Sequence, residues 1–177
     1  MLPFPKFSDL YHADRTIRGS LTLLVMPLLF AAGFYWVTQP IPGVEPIPGP
    51  SFEAEIAPYV PLVTGTLAAI GLLIFLRRYY FIRSVLSDGL VVKGMVEKME
   101  STETQTNSSS STTVKPIYRR TYFATVSYLV NNSPHTVCLR LPNSPSAHQV
   151  FEGRETELVV LPSTPGKPLL KAVYARR

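Results

Sequence analysis

Hydrophobic residues are concentrated in two uncharged blocks in the first half of the chain. The first block covers residues 19–38 and the second covers residues 56–76, and neither contains Asp, Glu, Lys, Arg or His. A run of about 20 apolar residues has the length of a helix that crosses the hydrocarbon core of a bilayer. The pattern therefore predicts two transmembrane helices. Pro27 predicts a kink in the first, because proline removes a backbone donor.

The segment between the two blocks is rich in proline. Residues 39–55 read QPIPGVEPIPGPSFEAE, and proline restricts both its own backbone and that of the preceding residue. We expect a stiff, extended connector, so the two helices form a hairpin. Gly65 and Ala69 are four residues apart on the second helix, a spacing that lets another helix approach closely. Its partner is either the first helix or, in a homo-oligomer, a second copy of the chain.

Positive charge lies on only one side of this predicted hairpin. Residues 38–57 contain no Lys or Arg, whereas arginines flank the opposite end of each helix. The positive-inside bias predicts that both termini lie in the cytoplasm. Residues 1–18 are then a cytoplasmic leader, residues 39–55 an outer loop and residues 77–88 a basic and aromatic junction at the membrane surface. The residues expected to contact lipid headgroups or mark the membrane surfaces are Arg15, Arg18, Trp36, Arg77, Arg78, Tyr79, Tyr80 and Arg83.

Short alternating segments replace the apolar blocks after residue 88. Residues 121–130 alternate between two faces and are rich in β-forming residues, and a turn-forming NNSP sequence leads into residues 136–141. Residues 121–141 are therefore predicted to form a β-hairpin. Further strands are expected at residues 90–99, 157–161 and 169–174.

These segments predict a second domain of a different class. About five short strands separated by turns favour a small antiparallel barrel or sandwich over residues 89–177. Residues 101–113 read STETQTNSSSSTT and contain no apolar residue, so we expect a mobile loop between the first two strands. The predicted fold class is a two-helix transmembrane hairpin followed by a cytoplasmic β-domain.

The net charge of +5 and the pI of about 9.4 raise the question of nucleic-acid binding. The Lys and Arg residues form no contiguous basic segment, and no nucleic-acid motif accompanies them, so we expect no nucleic-acid partner. Several of the positive charges instead flank the predicted spans. The lone cysteine, Cys138, excludes an intramolecular disulfide.

Residue patterns typical of catalysis and metal binding are absent from the sequence. His12, His135 and His148 are scattered, and none has another His or Cys at a spacing typical of metal ligands. No nucleophile elbow, phosphate-binding glycine loop or paired carboxylates occur. A cysteine without such partners is expected to pack rather than to react. We therefore predict no catalytic residues, no metal and no cofactor.

Four short motifs follow one another along the β region. Residues 94–97 read GMVE, residues 122–128 read YFATVSY, residues 150–153 read VFEG and residues 157–162 read ELVVLP. In this order they resemble the bacterial membrane-protein family catalogued as domain of unknown function 3592, whose members pair a few membrane helices with a small β-domain. The resemblance implies that architecture and, with the predicted topology, a location in a bacterial inner membrane. It implies no activity and no catalytic residues, because the family has none assigned.

Three hypotheses for the function follow from these patterns. The first is a membrane-anchored accessory protein whose β-domain binds a protein partner or membrane complex, with edge strands that accept a partner strand. The second is an immunity protein that protects the producing cell against a membrane-acting toxin, a role that suits a small two-span protein. The third is an enzyme whose site the sequence does not reveal. Uncharged spans argue against a self-contained transporter, since ionisable residues usually mark transport pathways.

Overall fold

The computed structural model describes residues 4–39, 55–107 and 116–175. Two long helices carry the apolar blocks: α2 covers Arg15–Thr38 and α3 covers Val60–Asp88, after a short α1 at Phe7–Ala13. By length and composition, α2 and α3 are both able to cross a membrane. Most of the proline-rich connector, residues 40–54, lies outside the described residues.

The helix that carries the second apolar block is longer than predicted. Its 29 residues correspond to about 44 Å, which exceeds the ~30 Å hydrocarbon core of a bilayer. The basic and aromatic junction at residues 77–88 is therefore a continuation of α3, because no proline or glycine interrupts the helix between the apolar block and Gly89. Met1–Arg15 and Tyr80–Arg177 form one compact unit, and Thr16–Tyr79 form a second.

In the second unit, α2 and α3 meet through small residues. Thr64 and Ala68 are 6% and 7% exposed and share a helix face with Gly71. A Cβ atom added to Gly71 would lie 2.7 Å from the Leu24 nitrogen and 2.9 Å from the Ser20 carbonyl oxygen. The two backbones are therefore almost in contact at this glycine.

The predicted contact of Gly65 and Ala69 with the first helix differs from the observed packing. Both residues are exposed, and a Cβ added at Gly65 would have no neighbour within 4 Å. One position along a helix corresponds to about 100° of rotation, so the packed face begins one residue earlier, at Thr64. Within the hairpin the helices therefore pack one position earlier than the Gly65 and Ala69 spacing predicts, and contact of these two residues with a second copy of the chain stays a prediction.

The chain after α3 forms a curled sheet of five antiparallel strands, a half-barrel with the order β3-β2-β1-β4-β5. The prediction of about five antiparallel strands is confirmed. The β2–β3 hairpin is also present, and it turns at Asn131 and Asn132, which both have positive φ angles as a two-residue hairpin turn requires. The strands are β1 at Leu90–Asn107, β2 at Pro116–Val130, β3 at Ser133–Leu141, β4 at Glu155–Val160 and β5 at Leu169–Leu170.

Two boundaries in this domain require correction. Residues 101–107 belong to β1 and pair with β2, although they were predicted as the start of a mobile loop. The rest of that loop, residues 108–113, lies outside the described residues. The predicted last strand at residues 169–174 is a two-residue β5 followed by helix α4 at Lys171–Tyr174.

The hydrophobic core lies on the inward face of the sheet. Alternate residues of β2 point into it and are at most 5% exposed: Ala124, Val126, Tyr128 and Val130. Val150 follows a 3-10 helix at Pro145–His148, and with Val173 of α4 it covers this face. Ala13 of the leader also packs against the core, so α1 is part of the same compact unit as the β-domain.

A partly buried hydrogen bond joins the leader to helix α4. The Tyr174 hydroxyl donates a hydrogen bond of 2.9 Å to Oδ2 of Asp14, which is only 3% exposed. Leu10 of α1 is also buried, at 1% exposed. Leu10 and Ala13 lie on one side of α1. The leader, predicted as a cytoplasmic segment at residues 1–18, therefore contains a helix that packs on the domain.

Candidate functional site

The residues predicted to mark the membrane surfaces lie near the ends of the two long helices. In α2, Arg18 and Trp36 are separated by about 27 Å along the axis, and in α3 the distance from Val60 to Arg77 is about 26 Å. Both lengths are close to the ~30 Å of a bilayer core. Each helix therefore has an uncharged stretch of membrane length.

The exposure of these side chains fits an interfacial position. Trp36 is 80% exposed and Tyr80 is 60% exposed. Among the arginines, Arg15, Arg77 and Arg83 are exposed and the remaining two are half-buried. Long basic and aromatic side chains of this kind keep their polar ends in water while their apolar parts lie against acyl chains.

The outer strand β3 presents an open backbone edge. It pairs with β2 over all nine of its residues, and no strand of the described chain flanks its other side. Val137 and Leu139 point inward but stay half-buried, whereas Val126, which pairs with Val137, is 0% exposed. The core is therefore less well covered at this edge than in the middle of the sheet.

A second open element is the far end of the β1–β2 hairpin. Residues 102–107 pair with residues 116–121, and within the described chain no third strand extends along this ribbon. On the β1 side residues 102–105 are polar and exposed, and Arg120 Nε of β2 lies 3.5 Å from Glu103 Oε1 in an ion pair. A two-stranded ribbon buries little apolar surface, so neighbouring structure contributes much of the stability of such an element.

The outward face of the sheet carries a shallow groove of about 400 Å³, which includes Lys93, Met95, Leu129 and Glu155. The Lys93 ammonium donates a 3.0 Å hydrogen bond to Glu155 Oε2, and this contact raises the pKa of the lysine above its ordinary value. Leu129 is 61% exposed. The charged side chains of the groove, Lys93 and Glu155, are therefore already paired with each other.

A larger cleft of about 610 Å³ lies between the leader and the C-terminal half of the β-domain. Its two least exposed lining side chains are His148, at 6%, and Val173, at 9%. The volume falls within the range of small-molecule sites. The other lining residues are Phe4, Pro5, Lys6, Ser8, Asp9, His12, Ala13, Pro142 and Asn143.

Two histidines that lie far apart in the sequence therefore line the same cleft. His12 comes from α1 and His148 ends the 3-10 helix, and the folding of the leader onto the β-domain brings them together. His135 lies elsewhere, stacked on Tyr128 with ring centroids 5.8 Å apart. No sequence spacing indicated the cleft, because its two walls come from opposite ends of the chain.

Two further side chains that could carry chemistry are Tyr128 and Cys138. The Tyr128 hydroxyl donates a 2.6 Å hydrogen bond to the Pro165 carbonyl oxygen, and burial raises the pKa of this tyrosine. Cys138 is exposed on β3, so the expectation that this cysteine packs is wrong. Within residues 4–39, 55–107 and 116–175, no three His, Cys, Asp or Glu side chains form a group able to hold a metal ion.

Comparison with known proteins gives no relative for this chain: no family model, no curated protein and no solved structure matches it. Its function is therefore inferred from its own residues and geometry.

Proposed function

We propose that this protein is a membrane-anchored accessory protein whose cytoplasmic β-domain binds a protein partner. In this proposal α2 and α3 cross a bacterial inner membrane as a hairpin, and both termini lie in the cytoplasm. The β-domain has no catalytic role of its own and presents the open edge of β3 to the partner.

The anchoring part of the proposal is supported by the surface of the two helices. Phe30 and Leu29 of α2 are 62% and 61% exposed, and Leu73 and Leu62 of α3 are 66% and 69% exposed. Soluble monomers rarely expose contiguous apolar surface on this scale, whereas a bilayer covers it. The arginines at the ends of the uncharged stretches favour the cytoplasmic side for both termini.

The observation that carries the partner-binding part is the incompletely covered core at β3. An extended strand added beside β3 would pair with its open backbone edge and cover Val137 and Leu139. Exposed edges of this length are usually blocked or covered in native proteins. The partner expected here is a strand with apolar residues at alternate positions, because only one face of the added strand would meet the core.

The first test measures topology. A phosphatase that is active only outside the cytoplasm should be inactive when fused after Arg177 and active when inserted near Val44 in the connector. The whole chain should also stay with the membrane during alkaline carbonate washing. Activity after Arg177 with inactivity near Val44 would overturn the orientation, and release by carbonate would overturn the anchoring.

The second test uses the single cysteine as a label next to the proposed docking edge. A photo-crosslinker on Cys138 should form an adduct with one protein partner in native membranes, at a stoichiometric level. The substitution Val137→Lys should reduce that adduct at least tenfold, because a charge on the inward face of an edge strand blocks strand addition.

The matched control for this test is Val91→Lys. Val91 is 47% exposed on the outward face of β1, where it pairs with Val159 of β4 and not with the β3 side of the sheet, so the adduct should persist. Thermal unfolding of each variant separates lost binding from lost folding. Equal adduct yields from a folded Val137→Lys protein and the native chain would contradict docking at β3, and an adduct of twice the chain mass would identify a homo-oligomer instead.

A further inference from the structure

We propose that the 610 Å³ cleft between the leader and the C-terminal half of the β-domain is a binding site for a phosphate group. The cleft is wholly contained in the compact unit formed by Met1–Arg15 and Tyr80–Arg177. It is independent of the β3 edge, since none of its lining residues belongs to that strand.

The chemistry of the lining favours an anion. Lys6 supplies the N–H donors of its side-chain amine, and His12 and His148 supply imidazole N–H donors from two different walls. Asn143 adds an amide donor. Phosphate offers several acceptor oxygens and is commonly bound by such converging donors.

One acidic residue also lines the cleft, and its position limits its effect. The Asp9 carboxylate is exposed and accepts a 3.5 Å hydrogen bond from the Ser8 hydroxyl. The better-buried carboxylate in this region, Asp14, is not a lining residue and accepts the Tyr174 hydroxyl. The most buried polar lining group is therefore an imidazole, His148, and not an acid.

The chain connectivity suggests where the phosphate comes from. Ala13 lines the cleft and α2 begins two residues later at Arg15, which is at most about 7 Å along the chain. This step rests on the proposed membrane anchoring: where α2 enters a bilayer, the phosphates of anionic lipid headgroups are the nearest abundant anions. A free phosphate compound has the same binding chemistry and is the other source.

The test titrates the full-length chain in maltoside micelles, which contain no phosphate. Imidazole NMR signals of His12 and His148 are followed with inorganic phosphate in one arm and with phosphatidylglycerol added to the micelles in the other. We expect saturable shifts of both histidines in at least one arm. Saturation only with the lipid identifies a headgroup site, and saturation only with inorganic phosphate identifies a site for a free phosphate compound.

Variants separate a specific site from general charge attraction. Lys6→Gln alters an exposed residue and should weaken binding at least tenfold without unfolding the domain, and His148→Phe should do the same by removing the buried donor. Lys167→Gln removes an exposed charge outside the cleft and should leave the affinity unchanged.

The site would be disproved if neither ligand saturates the shifts, or if Lys6→Gln and Lys167→Gln bind alike. These titrations are made in micelles and do not depend on topology. Failure of the phosphate site would appear in the titrations, whereas failure of the anchoring proposal would appear in the phosphatase and carbonate experiments.

Discussion

Replacing Gly89 by alanine is expected to destabilise the β-domain by about 3 kcal/mol or more. Gly89 connects α3 to β1, and its N–H donates a 3.0 Å hydrogen bond to the Val85 carbonyl oxygen. An added Cβ would overlap that same oxygen and lie 2.8 Å from Val159 Cγ1. Val85 and Val159 are both 0% exposed, so neither can move aside without disturbing buried packing.

The effect of Gly89→Ala should appear as a lower unfolding temperature of the full chain in detergent. For a domain of this size, 3 kcal/mol corresponds to a decrease of roughly 12 °C or more, measured by circular dichroism in the strand region. Gly166→Ala is the matched control, because a Cβ there has no neighbour within 4 Å and the backbone has no positive φ angle. Equal shifts in the two variants would show that the close approach at Gly89 has no energetic effect.

The second large effect is expected at the contact of the two long helices. Gly71→Ala places a Cβ against the backbone of α2 at Ser20 and Leu24, and backbone atoms cannot avoid it by changing rotamer. Separating the helices enough to accept one methyl group should cost about 2 kcal/mol. Some α2 and α3 amides exchange only when the two helices separate. In micelles, hydrogen exchange of these amides should become roughly 30-fold faster.

Gly65→Ala is the control for that substitution and should have the opposite sign or no effect. Gly65 is exposed with open space around its Cα, and alanine is the better helix former by up to about 1 kcal/mol. Slower or unchanged exchange in Gly65→Ala, together with faster exchange in Gly71→Ala, would support the observed helix register. Faster exchange in Gly65→Ala alone would instead support the register expected from the Gly65 and Ala69 spacing.

The helix contact illustrates how far sequence reasoning reaches. Small residues at a four-residue spacing are visible in the sequence, but the second helix contains two such sets, offset by one position. Local spacing does not distinguish them, because both satisfy the close-approach pattern. The choice of Thr64, Ala68 and Gly71 depends on which face the first helix covers, and that is a property of the pair.

The extension of β1 shows a different limit. Residues 101–107 have no apolar side chain, so their composition predicts that they cannot contribute to a core. That prediction concerns burial, whereas strand formation here depends on backbone hydrogen bonds to β2 and on threonines that favour an extended backbone. A polar segment next to a strong hairpin can therefore remain paired.

The leader was the least predictable part of the β-domain. Its seven-residue helix is too short to be stable alone, and its amphipathic pattern is brief. The burial of Leu10, the packing of Ala13 against the core and the hydrogen bond between Asp14 and Tyr174 hold it to the domain. The cleft that contains His12 and His148 exists because of this docking.

By itself, the sequence determined the two apolar helices, the β2–β3 hairpin and a domain of about five antiparallel strands. These follow from hydrophobic blocks and alternation, which act within one element and are read locally. The tertiary structure alone decided the face through which α2 and α3 meet, the open β3 edge, the paired ribbon beyond residue 101 and the cleft. Each of these depends on contacts between residues that are distant in the chain, and a local sequence pattern does not indicate which distant surface a residue will contact.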